Sequence, residues 1–450
     1  MHSSDCHSQV AFFLNELKIA LCYHSIGVDY MNANANYQAG LSNYILNTPK
    51  KNIMVAIEHF NIAASQGQAD AYYFLGRFYG LGDGISVDFN LAMDNYRKGA
   101  SLGSAKCGYA IGLMMHTGTG VDKDEDAAKE YFKKNYEILL SEAEKKDPVS
   151  MHILGTYYYY GFHVQKYILK AIEWFLKAAE LGYSDSQYML GMIYETIGHD
   201  EKQKESAKHY YELAAKQDHP YAQYALAVTA LEEEQWSTAV FYLERAANQQ
   251  YGLAAFTLGL YYHEKEPKFP LKAFEWFMVA AKQKHTEAEY YVGLYYQNGK
   301  GVAQNIEQSI LWYEKAALKK NKNALYHLAM ILIKQEDKDY ALVAKLLEQA
   351  ATLDHPHAQY NLAVMYQKGD GVKANMKKAF YWYEKAANAN LAIAQYNLGM
   401  IYFEGALVEK DEAKAKELWQ KAAAQGLEIA VKLMFSINNY EKLQKSTWQS

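Results

Sequence analysis

A helix-turn-helix pattern recurs along most of this 450-residue chain, and this period constrains the fold more than any other feature. The clearest copy runs from Ala358 to Asn390, where apolar and small residues at helical spacing flank a glycine turn. One small residue, which we call the anchor, holds the same register position in every copy. The anchors are Gly40, Gly76, Gly112, Gly155, Gly191, Ala227, Gly259, Gly293, Ala329, Ala363 and Gly399. They lie 32 to 36 residues apart, except for 43 residues between Gly112 and Gly155.

The second half of each copy ends in a register position that holds an alanine in every copy but one. These residues are Ala64, Ala100, Tyr136, Ala179, Ala215, Ala247, Ala281, Ala317, Ala351, Ala387 and Ala423. Five residues earlier, four copies carry a tryptophan that is predicted to be a core ring: Trp174, Trp276, Trp312 and Trp382. Self-similarity at a fixed period in this range indicates a solenoid, in which neighbouring units stack and share one core. The anchors therefore predict eleven helix pairs.

The pattern resembles that of the Sel1-like repeat family, a relative of the tetratricopeptide repeats. The resemblance rests on the residues Ala379, Trp382, Tyr383, Ala386 and Ala387 of the second half, and on glycine turns that recur along the chain. The turns are Gly82-Asp83-Gly84-Ile85, Gly118-Thr119-Gly120-Val121, Gly299-Lys300-Gly301-Val302 and Gly369-Asp370-Gly371-Val372. The resemblance implies an all-α fold, a right-handed α-solenoid (superhelix) of about eleven antiparallel repeats.

The same resemblance implies a non-catalytic scaffold or adaptor that binds a partner protein or peptide in a concave groove. Bacterial relatives that are delivered to host cells or act on them suggest a role in bacterial host interaction. One alternative is an immunity-type protein that neutralises a toxin by direct binding. Another is an enzyme or small-ligand binder, which an enclosed pocket around Arg77 or around Tyr157–Tyr160 would favour. The residues alone leave these alternatives open.

The repeat divides the chain into three segments. Residues 1–34 are predicted to be an N-terminal segment with a capping helix from Val10 to about His24. Residues 35–426 are predicted to be the repeat solenoid, with irregular spacing near 135–150 and a longer helix or a bend there. Residues 427–450 are predicted to be a C-terminal capping helix and tail.

Composition argues against several classes of function. The net charge is −5 and the basic residues are scattered, so a nucleic-acid partner is not expected. The three cysteines lack the paired pattern of a disulfide framework. No apolar stretch reaches transmembrane length, and the N-terminus lacks the features of a signal peptide. We therefore expect a monomer in the cytoplasm, or one secreted by a route without a cleavable signal peptide.

No catalytic, cofactor or metal site is predicted. The glycine turns lack the preceding strand and the Gly-Lys-Ser/Thr ending of a phosphate loop. His2, Asp5, Cys6 and His7 offer metal-binding atoms but sit together near the terminus, where a chance cluster is the simpler interpretation. Every recurrent residue has a packing role, so we expect no enzyme.

Binding residues are expected on the first helix of each pair, on the arc that holds the positions three before, one after and four after the anchor. The opposite arc, 220–300° from the anchor, is expected to face the second helix. The candidate groove residues are Tyr73, Arg77, Tyr109, His116, His152, Tyr159, Tyr188, Glu195, Tyr224, His263, Tyr290 and Gln297. The simpler interpretation is that the rings pack between adjacent first helices, with hydroxyl ends that could still point into the groove. Because Arg77 replaces the usual leucine or methionine, an Arg77→Leu variant is expected to fold normally and to bind its partner less tightly.

Overall fold

The computed structural model describes residues 32–44, 52–82, 85–198, 200–265, 268–405 and 407–447. In this part of the chain the protein consists of 23 α-helices and no β-strand. The helices are α1 Ala33–Tyr44, α2 Ile53–Ser65, α3 Ala71–Leu81, α4 Phe89–Ser101, α5 Ala105–Thr117, α6 Glu125–Glu144, α7 Pro148–Tyr160, α8 Ile168–Glu180, α9 Ser184–Ile197, α10 Glu201–Lys216, α11 Pro220–Glu232, α12 Trp236–Asn248, α13 Gly252–Glu264, α14 Pro270–Lys282, α15 Thr286–Asn298, α16 Ile306–Leu318, α17 Lys322–Leu332, α18 Tyr340–Thr352, α19 Pro356–Lys368, α20 Met376–Asn388, α21 Ala392–Glu404, α22 Glu412–Ala424 and α23 Glu428–Thr447.

The helices form consecutive pairs, and each pair contains one anchor. Odd-numbered helices up to α21 are the first helices, the following even-numbered helices are the second helices, and we number the pairs as repeats 1 to 11. Each first helix packs on its own second helix, and each second helix packs on the next first helix within a unit. The predicted fold class, an all-α array of about eleven helix pairs, is therefore confirmed in the described residues.

The array divides into two compact units. Unit 1 ends at Tyr251 and contains repeats 1 to 6, whereas unit 2 begins at Gly252 and contains repeats 7 to 11 and α23. Each unit has a core of alanines, larger aliphatic side chains and aromatic rings, to which both helices of the pairs contribute.

The anchor is small because a ring of the second helix lies directly against it. A Cβ atom added to Gly155 would lie 2.5 Å from the ring of Phe175, and one added to Gly191 would lie 2.5 Å from the ring of Tyr211. Such distances are too short for any side chain, so glycine permits the close approach. The centre of the arc predicted to face the second helix, 220–300° from the anchor, was therefore wrong. The anchor itself faces the second helix.

The tryptophans are less buried than the sequence suggested. Trp174 is buried, but Trp276, Trp312 and Trp382 are only half-buried. The ring that fills the core is the next residue, four before the second-helix alanine: Phe175, Phe277, Tyr313 and Tyr383. Phe175, Phe277 and Tyr313 lie directly against the glycine anchors of their repeats. Lysines lie over two of the rings: the Lys315 ammonium group is 3.6 Å from the ring centre of Trp312, and that of Lys177 is 4.4 Å from the ring centre of Trp174.

The long spacing between Gly112 and Gly155 comes from the second helix of repeat 3. The helix α6 has 20 residues, against 13 in most of the others. Asn135 takes the place of an alanine, and its side-chain amide donates a hydrogen bond to the Tyr131 carbonyl at 2.7 Å. The extra residues therefore extend a helix, one of the two outcomes expected for this region.

Polar pairs bridge the start of the first helix and the end of the second helix within several repeats. Gln217 donates to Gln187 at 2.8 Å, Gln249 donates to Gln223 at 2.9 Å, and Gln425 donates to Gln395 at 2.8 Å. In repeat 8 the same two positions hold Lys319 and Glu289, 2.7 Å apart. Both positions of the pair therefore change together.

Repeat 10 lacks the second member of this pair, which gives a testable prediction. Its Gln359 Oε1 is buried without a hydrogen-bond partner, because Ala389 stands where the four repeats just described carry glutamine or lysine. We expect Ala389→Gln to raise the free energy of unfolding by about 1 kcal/mol, since it satisfies a buried acceptor. Urea titrations followed by circular dichroism would measure the change. Ala389→Met, which adds similar bulk but no donor, is the matched control and should give no such gain.

Three predictions concern residues outside the described part of the chain: the capping helix at Val10–His24, the cluster of His2, Asp5, Cys6 and His7, and the centre of the first glycine turn at Asp83–Gly84. None of the helices in the described part is long and apolar enough to cross a membrane.

Candidate functional site

Four of the predicted groove residues meet at one pocket in unit 1. Tyr73, Arg77, Tyr109 and His152 contribute to a cavity of about 320 Å³ between repeats 2 and 3. The other lining residues are Gly80, Leu81, Phe89, Tyr96, Ala110, Leu113, Met114, Thr117 and Thr119. We call this cavity the Arg77 pocket.

The Arg77 pocket has a buried floor and an open mouth. Tyr73, Tyr96 and Tyr109 are almost fully buried and form much of the floor. Leu81 is 50% exposed and, with the exposed Phe89 and Thr117, marks the mouth. The pocket is thus an apolar, aromatic cleft that reaches from solvent into the core, as is typical of binding sites.

The pocket exists because repeat 2 lacks a side chain four residues after its anchor. Every other repeat carries a larger residue there, whereas repeat 2 carries Gly80. A Cβ atom added to Gly80 would lie 3.6 Å from Ala92 Cβ and 3.8 Å from the Tyr96 hydroxyl, which is ordinary contact. The missing side chain therefore leaves space above Tyr96.

Arg77 closes one end of the pocket through a long-range ion pair. Its Nη1 donates to Asp185 Oδ2 on α9 at 2.6 Å, across 108 residues of sequence. The Tyr183 hydroxyl also donates to this carboxylate, at 2.9 Å. Burial by itself would raise the pKa of Asp185, but Arg77 and His219 outweigh it and hold that pKa well below its usual value. The pair is therefore ionised on both sides.

This ion pair joins repeat 2 to repeat 5 within unit 1. Arg77 also lines a second cavity of about 80 Å³, whose other walls come from repeats 1, 5 and 6. Arg77 thus supports the fold as well as the pocket. We therefore replace the expectation that Arg77→Leu folds normally with the prediction that it folds less stably, because the change would leave the buried Asp185 carboxylate without its main partner.

His152 lies beside this ion pair and is neutral at pH 7. Its Nδ1 is 3.0 Å from the Ser186 hydroxyl, and its ring packs on Tyr183 and Phe175. Burial lowers the pKa of His152 to about 4, and the charge of Arg77 acts in the same direction. With Arg77 compensated by Asp185, the pocket lining carries no net charge at neutral pH.

The depressed pKa of His152 predicts that acid weakens the fold. In the unfolded chain its pKa is about 6.5, so the unfolded state gains a proton first as the pH falls. The contribution of His152 to the unfolding free energy is complete above the unfolded-state pKa of about 6.5, and it is lost as the pH falls from 6.5 to about 4. We expect it to amount to about 2 kcal/mol of unfolding free energy between pH 7 and pH 5.

The measurement compares urea titrations at pH 7 and pH 5 for the native chain and for His152→Tyr. Tyrosine is the residue that most repeats carry at this register position. The variant should lose about 2 kcal/mol less than the native chain over this range. Equal losses in the two proteins would contradict the assignment.

The other predicted groove residues do not line the Arg77 pocket. In unit 1, His116 contacts Glu125 at 3.0 Å, and Glu195 accepts a hydrogen bond from Tyr211 at 2.6 Å. Tyr188 stacks on His219, and Tyr224 packs on Tyr251. The ammonium group of Lys166 lies 5.7 Å from the ring centre of Tyr159.

In unit 2 the predicted residues take part in contacts within and between repeats. His263 Nδ1 lies 2.8 Å from the Tyr295 hydroxyl, and Gln297 accepts a hydrogen bond from Tyr313 at 2.7 Å. Tyr290 packs against His327 of the next repeat, and their polar atoms are 3.5 Å apart. These contacts favour the packing interpretation of the rings.

Sequence reasoning missed Gly80, Tyr96 and Asp185. The signal for Gly80 was present, because it is the one glycine at its register position. Asp185 could not be found from the repeat pattern, since its partner lies three repeats away. Within the described residues no three His, Cys, Asp or Glu side chains are grouped so that they could hold a metal ion.

Comparison with known proteins identifies the repeat. The family described as Sel1 repeat matches residues 33–68, 69–104, 105–134, 148–183, 184–219, 237–251, 252–285, 286–321, 356–391 and 392–427. A crystal structure of a protective antigen from uropathogenic Escherichia coli, described as having an SLR fold, is 28% identical with a TM-score of 0.60. That similarity covers 91% of this chain and 88% of the antigen.

Curated relatives match over shorter segments. The chitin synthase regulator SKT5 of Saccharomyces cerevisiae is 28% identical over 202 residues, which are 39% of this chain and 28% of the relative. The ERAD-associated E3 ubiquitin-protein ligase component HRD3B of Arabidopsis thaliana is 29% identical over 100 residues, which are 22% of this chain and 16% of the relative. The chain thus spans less than a third of the length of either relative.

Proposed function

This chain belongs to the Sel1 repeat family, and from that premise we propose that it is a scaffold that holds a partner protein or peptide on unit 1, with one group of the partner in the Arg77 pocket. Proteins built from such repeats are typically non-catalytic interaction scaffolds. The observation that carries the proposal is the pocket itself, an apolar cleft of about 320 Å³ whose lining includes four of the predicted groove residues.

The pocket suits an anchoring role in a protein interface. Interfaces obtain much of their affinity from a few residues buried in preformed pockets, where aromatic side chains are enriched. Here the floor is fixed by the packing of repeats 2 and 3 and by the Arg77–Asp185 ion pair at 2.6 Å. Little ordering would be needed on binding, which lowers the entropic cost of association.

The names of the two curated relatives describe a regulator of an enzyme and a component of an enzyme complex. Both names describe a protein that works with an enzyme, which supports the proposal that this chain is a scaffold for a partner protein. The Escherichia coli antigen supports a bacterial setting, in which host interaction is one proposed role.

The test is affinity capture with three versions of the chain as bait. Leu113→Glu places a charge in the wall of the pocket, while Leu294→Glu makes the same change at the equivalent half-buried position of repeat 8. Lysates of the source organism and of cultured human cells serve as prey. We expect one saturable partner, retained by Leu294→Glu and reduced at least tenfold, a loss of about 1.4 kcal/mol in binding, by Leu113→Glu.

Circular dichroism must show equal helix content in both variants. Equal capture by both would remove the pocket from the interface. A second candidate function, binding of a small molecule, is favoured by the same cavity, whose volume lies at the lower end of the range for ligand pockets. Native mass spectrometry that shows a bound small molecule, with no protein captured, would establish that function instead.

A further inference from the structure

In other repeats a side chain of the first helix fills a slot beside the core tyrosine and accepts a hydrogen bond from it. We propose that the Arg77 pocket is a vacant copy of this slot. We propose that it takes an uncharged aromatic group that carries an amide oxygen. This inference rests on the proposed function and names the chemistry of the partner group. The evidence lies in a pair of register positions 16 residues apart.

Three other repeats show the slot filled. The Tyr211 hydroxyl donates to Glu195 at 2.6 Å, Tyr313 donates to Gln297 at 2.7 Å, and Tyr383 donates to Gln367 at 2.7 Å. In each case the tyrosine is the core ring of the second helix, and the acceptor stands four residues after the anchor. Repeats whose core ring lacks a hydroxyl carry other residues at the acceptor position.

Repeat 2 is the exception to this pairing. It carries the tyrosine, Tyr96, but Gly80 stands at the acceptor position. Tyr96 is only 6% exposed, and no residue in the described part of the chain forms a hydrogen bond with its hydroxyl. Because Tyr96 lines the pocket and its hydroxyl lies beside Gly80, an incoming oxygen atom could accept a hydrogen bond from it.

The charges around the slot select an amide over a carboxylate. Arg77 is already paired with Asp185 at 2.6 Å, and His152 is neutral at pH 7. No other charged side chain lines the pocket. A carboxylate would lose its hydration without gaining a free cation, whereas an amide loses far less.

The remaining walls select an aromatic group. Tyr73, Phe89 and Tyr109 present rings, and Met114 presents a thioether. Aromatic pairs and sulfur–aromatic contacts add to the gain from burial. An aromatic residue within a peptide, which carries its own backbone carbonyl, has both required parts.

The experiment titrates N-acetyl-L-tryptophanamide into the full chain and follows binding by saturation-transfer NMR. We expect saturable binding with a dissociation constant on the order of 1 mM, as for a small fragment. N-acetyl-L-tryptophan, which differs by its free carboxylate, should bind at least fivefold more weakly. Tighter binding of the carboxylate would overturn the proposal.

Two variants test the slot directly. Gly80→Gln restores the residue type of repeats 8 and 10 and should fill the slot, so it should weaken probe binding at least tenfold. Gly80→Ala, which adds only the tolerated Cβ atom, is the matched control and should change binding less than twofold. Tyr96→Phe removes the donor alone and should weaken binding about fivefold. Unchanged binding by Gly80→Gln or by Tyr96→Phe would overturn the proposal.

These outcomes separate the inference from the scaffold function. If Leu113→Glu loses the captured partner while the probe binds the Gly80→Gln variant as well as the native chain, the scaffold stands and the proposed occupant is wrong. If the probe binds as expected but Leu113→Glu keeps its partner, the slot exists and the partner uses another surface.

Discussion

Arg77→Leu should lower the free energy of unfolding by about 3 to 5 kcal/mol, the typical cost of removing one member of a buried ion pair. The side chains of Arg77 and Asp185 are 15% and 19% exposed, and the pair is held at 2.6 Å. Without the guanidinium group, burial would act against the charge of Asp185, and the weaker contacts with His219 at 3.3 Å and the Tyr183 hydroxyl at 2.9 Å would remain to offset it. Urea titrations at pH 7 would measure the loss.

A double variant separates the ion pair from simple packing. Asp185→Asn removes the stranded charge while keeping an oxygen that can accept from the Tyr183 hydroxyl. In the Arg77→Leu background it should recover at least half of the lost stability, because two neutral groups replace an uncompensated ion. If the two changes only add their costs, the charge is not the source of the destabilisation.

Lys106→Met should cost about 3 to 5 kcal/mol for a related reason. Lys106 is 2% exposed, and its ammonium group lies 2.6 Å from Asp70 and 2.7 Å from Glu142. Asp147 is also close, at 3.5 Å. Burial opposes the charge of Lys106, but the surrounding carboxylates outweigh it and raise its pKa well above the usual value. Methionine would fill the space and leave the carboxylates facing one another.

Lys432→Met is the matched control for this prediction. Lys432 also pairs with a carboxylate, Glu428 at 2.5 Å, but both side chains are largely exposed. Because such surface pairs contribute little, the variant should unfold at nearly the native urea concentration. A similar shift in both variants would mean that the loss of a lysine, and not the buried cluster, explains the effect.

The fold could be predicted because its determinants are local and repeated. The anchors, the glycine turns and the alanines recur often enough for the period to establish eleven helix pairs. The side of the first helix that faces the second helix could not be predicted from helical geometry alone. It depends on which side chain of the second helix approaches the anchor. Phe175 and Tyr211 decide that question, since they lie against Gly155 and Gly191.

The candidate site was predictable only in part. Arg77 was recognisable because a charge replaced an apolar residue, and the pocket does include it. Its partner Asp185 was not, since the contact spans 108 residues and no periodic rule connects the two positions. Predicting the empty slot at Gly80 would have required a comparison of two register positions together. One is the hydrogen-bond acceptor four residues after the anchor, and the other is the core ring whose hydroxyl donates to it.

The pairing of side chains within single repeats bears on how such a chain can change length. The partners Glu195 and Tyr211 are 16 residues apart, and Gln187 and Gln217 are 30 apart, so each pair lies inside one period. A duplicated or deleted repeat therefore carries both halves of these two contacts, whereas contacts between neighbouring repeats, such as that of His263 with Tyr295, depend on the repeat that follows. Gaining or losing a repeat between repeats 2 and 5 would separate Arg77 from Asp185.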